Sequence, residues 1–325
     1  MKKTLWALFD DRTGSVGQAK GIIMALQDRI TVIEKNLVYT RAAALPNFIR
    51  GRSLLGIDRQ KSSPLDGEEY PDLVLSVSRR TLPAARHIRK MSGNKTKIIQ
   101  LMYPGKTGLK EIELLILSEH DRKKNSPDNF FYITGCPHRA SAQILSEAKE
   151  KWEPVFAPLP RPLTTVIVGG AIKGKPFSLE NARALAREIL EFKRKCGGSI
   201  LITTSRRTGI EAQNAIMECL KEVPAYTYLW GEKKENPYMG FLACADNHIV
   251  TGDTVSMCSE ACSTGKPVLV FRGRGWLTPK HLRFVQSLFD GGYAAALEAE
   301  NALSFAPTQR LDCAGQIAEK ILEIR

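Results

Sequence analysis

Thr165-Val166-Ile167-Val168-Gly169-Gly170-Ala171-Ile172-Lys173-Gly174-Lys175 is the stretch whose reading decides the fold. Four β-branched residues run into two glycines, and a helix-period pattern over 179–195 follows. A short apolar strand, a tight turn and a helix make half of a strand-helix-strand unit. Glycines let backbone amides approach a phosphate, a helix N-terminus adds positive potential, and Lys173 and Lys175 offer countercharge. The spacing is that of neither the P-loop nor the dinucleotide fingerprint, so these residues alone fit a plain turn equally well.

The same alternation extends in both directions. Downstream it predicts strands at 199–204, 227–229, 248–251 and 268–271, with helices over 208–223, 237–244, 255–263, 280–290 and 316–325. Upstream it predicts strands at 4–9, 31–36, 73–76, 97–100, 114–118 and 130–134, with helices over 17–27, 82–91 and 140–152. Strands and helices in strict rotation imply parallel sheets. The segment 40–70, carrying Arg50, Arg52, Arg59 and Lys61, breaks the rhythm and reads as an excursion, a lid or surface-docking element. Prolines at 154, 158, 160 and 162 cannot continue a helix and mark a linker. With 325 residues, the chain is too long for one core. The expectation is an α/β chain of two Rossmann-like domains whose parallel sheets face a central cleft. An acceptor or partner domain spans 1–157, a nucleotide-donor domain spans 158–310, and a helix in 311–325 crosses back to the first domain.

Composition narrows the function classes. No apolar run approaches a membrane span, and the opening run to Phe9 is broken by Asp10 and Asp11, so it reads as a strand rather than a signal peptide. A cytoplasmic location is expected. The seven cysteines are odd in number and lack any CxxC pair, so neither disulfides nor a metal site is expected. Asp66-Gly67-Glu68, the one acidic D-x-E, sits in a polar loop and is not read as a metal site. Net charge is +13, and residues up to 160 carry +9 of it, with 26 Lys and Arg against 17 Asp and Glu. That excess suits phosphorylated ligands or an anionic membrane surface, or is simply a solvated basic face. Nucleic acid is not expected as a partner, because the cations are not interleaved with aromatics in any RNA-binding motif.

Ligands of open parallel sheets bind beyond the carboxyl ends of the strands. In the second half those positions hold Gly169, Gly170 and Lys173, then Ser205-Arg206-Arg207-Thr208, then Gly252-Asp253, Ser256, Met257 and Glu260. Guanidinium and hydroxyl groups can hold anionic oxygens, and a carboxylate inside the last helix can accept both hydroxyls of a ribose. In the first half they hold Asp10 and Asp11 with Gly14 in the following loop, then Glu119-His120-Asp121, then His138. A hydroxyl acceptor needs a general base. Asp11 is the first candidate, Asp10 its nearest competitor, and His120 and His138 are the reserves. Adjacent strand residues point to opposite sides, so Asp10 and Asp11 are not expected to serve equally.

The Gly-Gly turn, the Arg cluster and the helical Glu260 together resemble the donor domain of GT-B glycosyltransferases. Over nearly its full length the chain resembles the bacterial branch of the ELM-type mitochondrial fission family. The resemblance rests on Gly14 and Gln18, Ser78-Arg79-Arg80-Thr81, Glu119-His120-Asp121, Gly135-Cys136-Pro137-His138-Arg139, Gly169-Gly170, Ser205 to Thr208, Asn236-Pro237 and the segment from Gly252 to Pro267. The plant branch of that family supplies an adaptor that recruits fission machinery to mitochondria, whereas its bacterial members look like GT-B enzymes. Many of those carry His where this chain has Ser15, so the resemblance does not supply a His base in the first loop.

The expected function is a metal-independent glycosyltransferase with a nucleoside-diphosphate sugar as donor and no cofactor. A lipid-linked or lipopolysaccharide-type acceptor at the inner membrane surface suits the basic first half. Two other readings stand beside it, a sugar-nucleotide epimerase of similar fold and a non-catalytic adaptor. The sequence specifies neither the donor sugar nor an oligomeric state.

Overall fold

The computed structural model describes residues 2–67 and 69–325. Glu68, and with it the completeness of the Asp66-Gly67-Glu68 triplet, lies outside the described residues. Asp66 itself bonds Arg59 Nη2 at 2.6 Å and His87 Nε2 at 2.7 Å.

The chain divides into two compact units, 1–139 with 312–325, and 140–311. The first contains strands β1 (Thr4–Phe9), β2 (Thr31–Asn36), β3 (Leu73–Ser76), β4 (Lys97–Leu101), β5 (Ile112–Ser118) and β6 (Phe130–Ile133). They form a parallel sheet in the order β2-β1-β3-β4-β5-β6. Helices α1 (Thr13–Leu26), α2 (Asn47–Arg50) and α3 (Leu82–Met91) lie between the strands. β3 is buried at every position, as a strand covered on both faces must be, whereas the edge strand β2 is largely exposed.

The second unit opens with α4 (Ala142–Phe156) and continues through β7 (Leu163–Val168), α5 (Leu179–Cys196), β8 (Ser199–Thr204), α6 (Ile210–Leu220), β9 (Pro224–Tyr228) and α7 (Tyr238–Cys244). It is completed by β10 (Asn247–Thr251), α8 (Val255–Cys262), β11 (Val268–Phe271), α9 (Pro279–Asp290) and β12 (Ala295–Ala296). The sheet runs β12-β11-β10-β7-β8-β9, again parallel. α5 shows why these elements form: Ser178 caps its first turn by accepting from Asn181 N, Glu180 faces the positive end, and Lys193, Arg194 and Lys195 sit at the negative end.

The boundary between units differs from the expected 157/158. α4 does not stop at Trp152 but passes through Pro154 to Phe156 and belongs to the second unit. Pro154 removes one amide donor near the helix end. Aromatic packing offsets it: Trp152 and Phe156 stack at 5.7 Å, and both meet Tyr226 edge-on at 6.4 and 5.3 Å. Gly240 on α7 admits that packing, since a Cβ there would stand 2.3 Å from the Trp152 ring. The last helix, α10 (Cys313–Leu322), lies in the first unit against α1. Its buried Cys313, Ile317, Ala318 and Ile321 form one apolar stripe, and Glu319 pairs with Arg29.

All seven cysteines are free thiols, and among the described residues no His, Cys, Asp and Glu group is arranged to hold a metal. Among them, too, no helix is long and apolar enough to cross a membrane.

His248 on β10 is fully buried, and neither ring nitrogen has a partner among the described residues. Burial, reinforced by nearby Lys266, pulls its pKa from 6.5 to about 3. Between those values the unfolded chain binds a proton that the folded chain refuses, so this contribution is complete above 6.5 and is lost as pH falls. We expect acidification from neutrality to pH 5 to cost the parent about 2 kcal/mol more in urea unfolding than it costs His248→Gln. Equal losses in the two proteins would exclude His248 as the source.

Candidate functional site

The strand order of the second unit sets β7 beside β10, the point at which successive crossovers run to opposite sides. In open parallel sheets such a switch point forms the ligand crevice. Gly169 and Gly170 leave β7 there, and Gly252 and Asp253 leave β10.

Asp253 organises this point. Its side chain is wholly buried. Oδ2 accepts from the Gly170 amide at 2.8 Å and pairs with Arg207 Nη1 at 2.9 Å, while Oδ1 accepts from Thr251 Oγ1 at 2.7 Å. Burial pushes its carboxyl up, and Arg207, Thr251 and the Gly170 amide pull the other way. The Gly169 amide donates to Thr251 Oγ1 at 2.7 Å, and the Ala171 amide to the Arg207 carbonyl at 2.7 Å.

These bonds correct the sequence reading of the turn. The amides of Gly169, Gly170 and Ala171 are committed inside the protein, so the turn is no open phosphate nest. The glycines serve close approach instead. A Cβ at Gly169 would stand 2.2 Å from Asp253 Oδ1, and one at Gly170 would stand 1.9 Å from the Arg207 carbonyl oxygen. Asp253 and Ser205 are likewise positioning residues, since Ser205 Oγ donates to the Gly169 carbonyl at 2.8 Å and accepts from the Arg207 amide at 3.2 Å.

Several predicted residues remain turned to solvent. Lys173 is exposed at the tip of a tight turn closed by the Ile172 and Lys175 bridge, and Arg206 is exposed beside the half-buried Arg207. Ser256 is exposed in the first turn of α8, where Thr254 Oγ1 caps the Met257 amide at 3.4 Å. Further along α8, Glu260 Oε2 accepts from the Tyr238 hydroxyl at 2.5 Å. Burial and the Glu260 charge push the Tyr238 phenol well above its ordinary value, which keeps it a donor.

The sequence reading missed His281. It lies in the first turn of α9, with Nδ1 2.7 Å from Thr278 Oγ1, and its ring reaches the Asp253 backbone. Burial and the charges of Lys280, Arg207 and Lys173 lower its pKa. The available signal was a histidine just after Thr278-Pro279, a helix-start pair soon after a strand end.

In the first unit the switch point falls between β1 and β3. Asp10 turns inward and is buried: Oδ1 accepts from the Arg12 amide at 3.0 Å, and Oδ2 has no partner among the described residues. Asp11 turns outward and bonds Arg80 Nη1 at 2.5 Å. The Arg80 guanidinium lies 4.0 Å over the Tyr39 ring. Burial, and then the Asp10 charge, push the Tyr39 phenol far above its ordinary value.

The remaining candidates stand apart. His120, with a side chain only 3% exposed, follows β5 and lies 3.7 Å from Asp121 Oδ2. β5 is three strands from β1, about 14 Å at the usual interstrand spacing. His138 follows β6 in a loop that packs on α1, where a Cβ at Gly21 would stand 2.1 Å from the His138 carbonyl. Gly14 is not in a loop: α1 begins at Thr13, so Gly14 sits exposed in its first turn, with the buried Ser15 beside it.

The dense bonding at β7 and β10 predicts that Gly170→Ala destabilises the protein by about 2 to 4 kcal/mol, because the methyl must displace main chain rather than a flexible side chain. Chemical denaturation measures this, and a loss under about 0.5 kcal/mol, the range of neutral surface changes, would refute the close-approach role.

The family model for mitochondrial fission ELM1 matches residues 13–324. Mitochondrial fission protein ELM1 of Arabidopsis thaliana is 30% identical over 224 residues, 62% of this chain and 52% of the plant protein, so the match spans about half the plant protein's length. Uncharacterized protein RP120 of Rickettsia prowazekii (strain Madrid E) is 26% identical over 320 residues, 88% of each chain. Among solved structures, UDP-GlcNAc 2-epimerase from Neisseria meningitidis bound to UDP-GlcNAc superposes with a TM-score of 0.54 at 15% identity, covering 98% of each chain. MurG of Acinetobacter baumannii gives 0.52 at 12% identity, covering 99% of this chain and 100% of that one. These likenesses show the fold, which is that of GT-B enzymes. With the family model matched along almost its whole length, the chain belongs to the mitochondrial fission ELM1 family.

Proposed function

We propose that the chain is a metal-independent glycosyltransferase that uses a nucleoside-diphosphate sugar, with the donor on the second unit and the acceptor on the first. The observation that carries this reading is the Asp253 clamp, which holds Arg207 at the switch point beside the start of α8. Arg206 and Lys173 would neutralise the diphosphate together with the positive end of α8, a task a metal ion performs elsewhere, while Ser256 and the donors of Arg207 not held by Asp253 would hydrogen-bond its oxygens. Glu260, its carboxylate oriented by Tyr238, would accept the ribose hydroxyls. The acceptor hydroxyl attacks the anomeric carbon, the carbon–oxygen bond to the diphosphate breaks, and its electron pair leaves with the nucleoside diphosphate. A base takes the hydroxyl proton. A lipid-linked acceptor fits the net positive charge of the first half.

For the base, the geometry favours Asp10 over Asp11. Asp11 turns outward and already holds Arg80 Nη1 at 2.5 Å through Oδ1. Asp10 keeps one carboxylate oxygen unpartnered in a buried setting.

Two outcomes are expected. Glu260→Ala weakens nucleoside-diphosphate binding by about 1.5 to 3 kcal/mol in calorimetry, the range of a lost charge-assisted hydrogen bond, and Glu260→Gln, which keeps an acceptor for Tyr238, restores folding stability without full affinity. Unchanged affinity in folded Glu260→Ala removes the residue from the site. A parent protein that binds no nucleoside diphosphate or sugar conjugate points to the adaptor class, and sugar-nucleotide turnover without acceptor points to an epimerase. In a transfer assay, Asp10→Asn lowers turnover about 10²- to 10⁴-fold with donor affinity intact, while Asp11→Asn has the smaller effect. The reverse order returns the base to Asp11.

A further inference from the structure

The excursion between β2 and β3 displays apolar side chains to solvent. Phe48 is 72% exposed, Ile49 51%, Leu55 44% and Leu45 37%, and all lie on or beside α2. Their presentation is rigid. Arg50, on the same short helix, is 1% exposed, and donates through Nε to the Leu55 carbonyl at 2.9 Å and through Nη1 to the Arg80 carbonyl at 3.1 Å. Asn47 Nδ2 donates to the Arg79 carbonyl at 3.0 Å, and Arg86 Nη1 to the Gly51 carbonyl at 3.0 Å. A fold that locks a helix by a buried guanidinium and leaves its Phe and Ile in water is presenting them.

Charge identifies the occupant. From Lys35 to Ile57 the sequence contains no carboxylate; of its cations Arg50 is buried, Arg52 pairs with Glu111 at 3.0 Å and Lys35 is half-buried, while Arg41 turns to solvent. Arg79 is exposed too, and its Nη1 donates to the Leu45 carbonyl at 3.3 Å. Apolar side chains rimmed by cations match the layered chemistry of an anionic bilayer surface, with acyl chains below and phosphates above.

We propose that this tip docks the protein on anionic membranes, Phe48 and Ile49 entering the interface while Arg41 and Arg79 meet lipid phosphates. The same bonds that fix α2 run to the carbonyls of Arg79 and Arg80, so the docked tip brings the turn after β3, with Arg80 and the Asp11 it holds, towards the lipid surface. The inference extends the reading of a lipid-linked acceptor, but its test needs no transfer activity.

The full chain is floated with vesicles of phosphatidylcholine alone, or with about a third phosphatidylglycerol, a strongly anionic surface, at low and physiological salt. Binding is expected only to the anionic vesicles and is weakened by salt. Phe48→Ser combined with Ile49→Ser lowers partition about tenfold or more, and Arg41→Gln lowers it severalfold, with melting temperature and nucleotide affinity unchanged. Ile210→Ser, which removes an apolar side chain 66% exposed on the second unit, leaves partition unchanged. Equal flotation of the double serine variant and the parent, or no flotation of the parent, overturns the proposal. So does parent self-association that the double variant abolishes, which assigns the tip to a second copy of the chain. Nucleotide affinity, measured separately, reports on the donor site whatever the vesicles show.

Discussion

A single buried carboxylate holds the second unit's site together. Asp253 is wholly removed from solvent, yet it bonds one amide, one hydroxyl and one guanidinium. Leaving such a charge buried without those partners would cost several kcal/mol, so the ends of β7 and β10 and the loop after β8 are forced into one arrangement. Gly169 and Gly170 follow from it, because only a residue without Cβ allows the carboxylate and the Arg207 carbonyl so close. The cations that turn outward are then placed by the same clamp, and the proposed donor chemistry depends on it.

The first unit solves a related problem with a cation. Arg50 is buried among carbonyls rather than opposite a carboxylate, and it ties the excursion after β2 to the turn after β3. On that turn Thr81 Oγ1 bonds Ser76 Oγ at 2.7 Å, and Gln100 Oε1 accepts from Ser76 Oγ at 2.7 Å. The neighbouring strand ends are thus cross-linked by neutral hydroxyl and amide groups. Against that frame Arg80 can stack on Tyr39 and hold Asp11 away from Asp10.

Most of the architecture was legible because its signal is local. Buried parallel strands such as β3, β8 and β11 are short β-branched or leucine runs bounded by polar turns, and their limits agree with the sequence reading to the residue. Pro154 misled because its cost is local, whereas the gain from Trp152 and Phe156 comes from Tyr226 and Phe241, some 70 to 90 residues further along. Thr208 misled in the same way. It reads as a helix start, but its hydroxyl accepts from the Ser205 amide at 3.0 Å and bonds the Val168 carbonyl at 3.2 Å, so α6 begins only at Ile210. β12, two alanines, carries no pattern of its own and exists because β11 offers an edge.

The sequence by itself determined the alternation of strands and helices, the parallel sheets and the list of residues at strand ends, because period, turn chemistry and burial are written in neighbouring residues. Only the tertiary structure decided which of those residues face inward. It turned the Gly169-Gly170 amides to Asp253 and Thr251, buried Asp10 while pairing Asp11 with Arg80, and brought His281 to the Asp253 backbone. Each of these outcomes depends on strand order. Which strand end lies beside which is settled by crossovers between distant segments, and no local pattern encodes it.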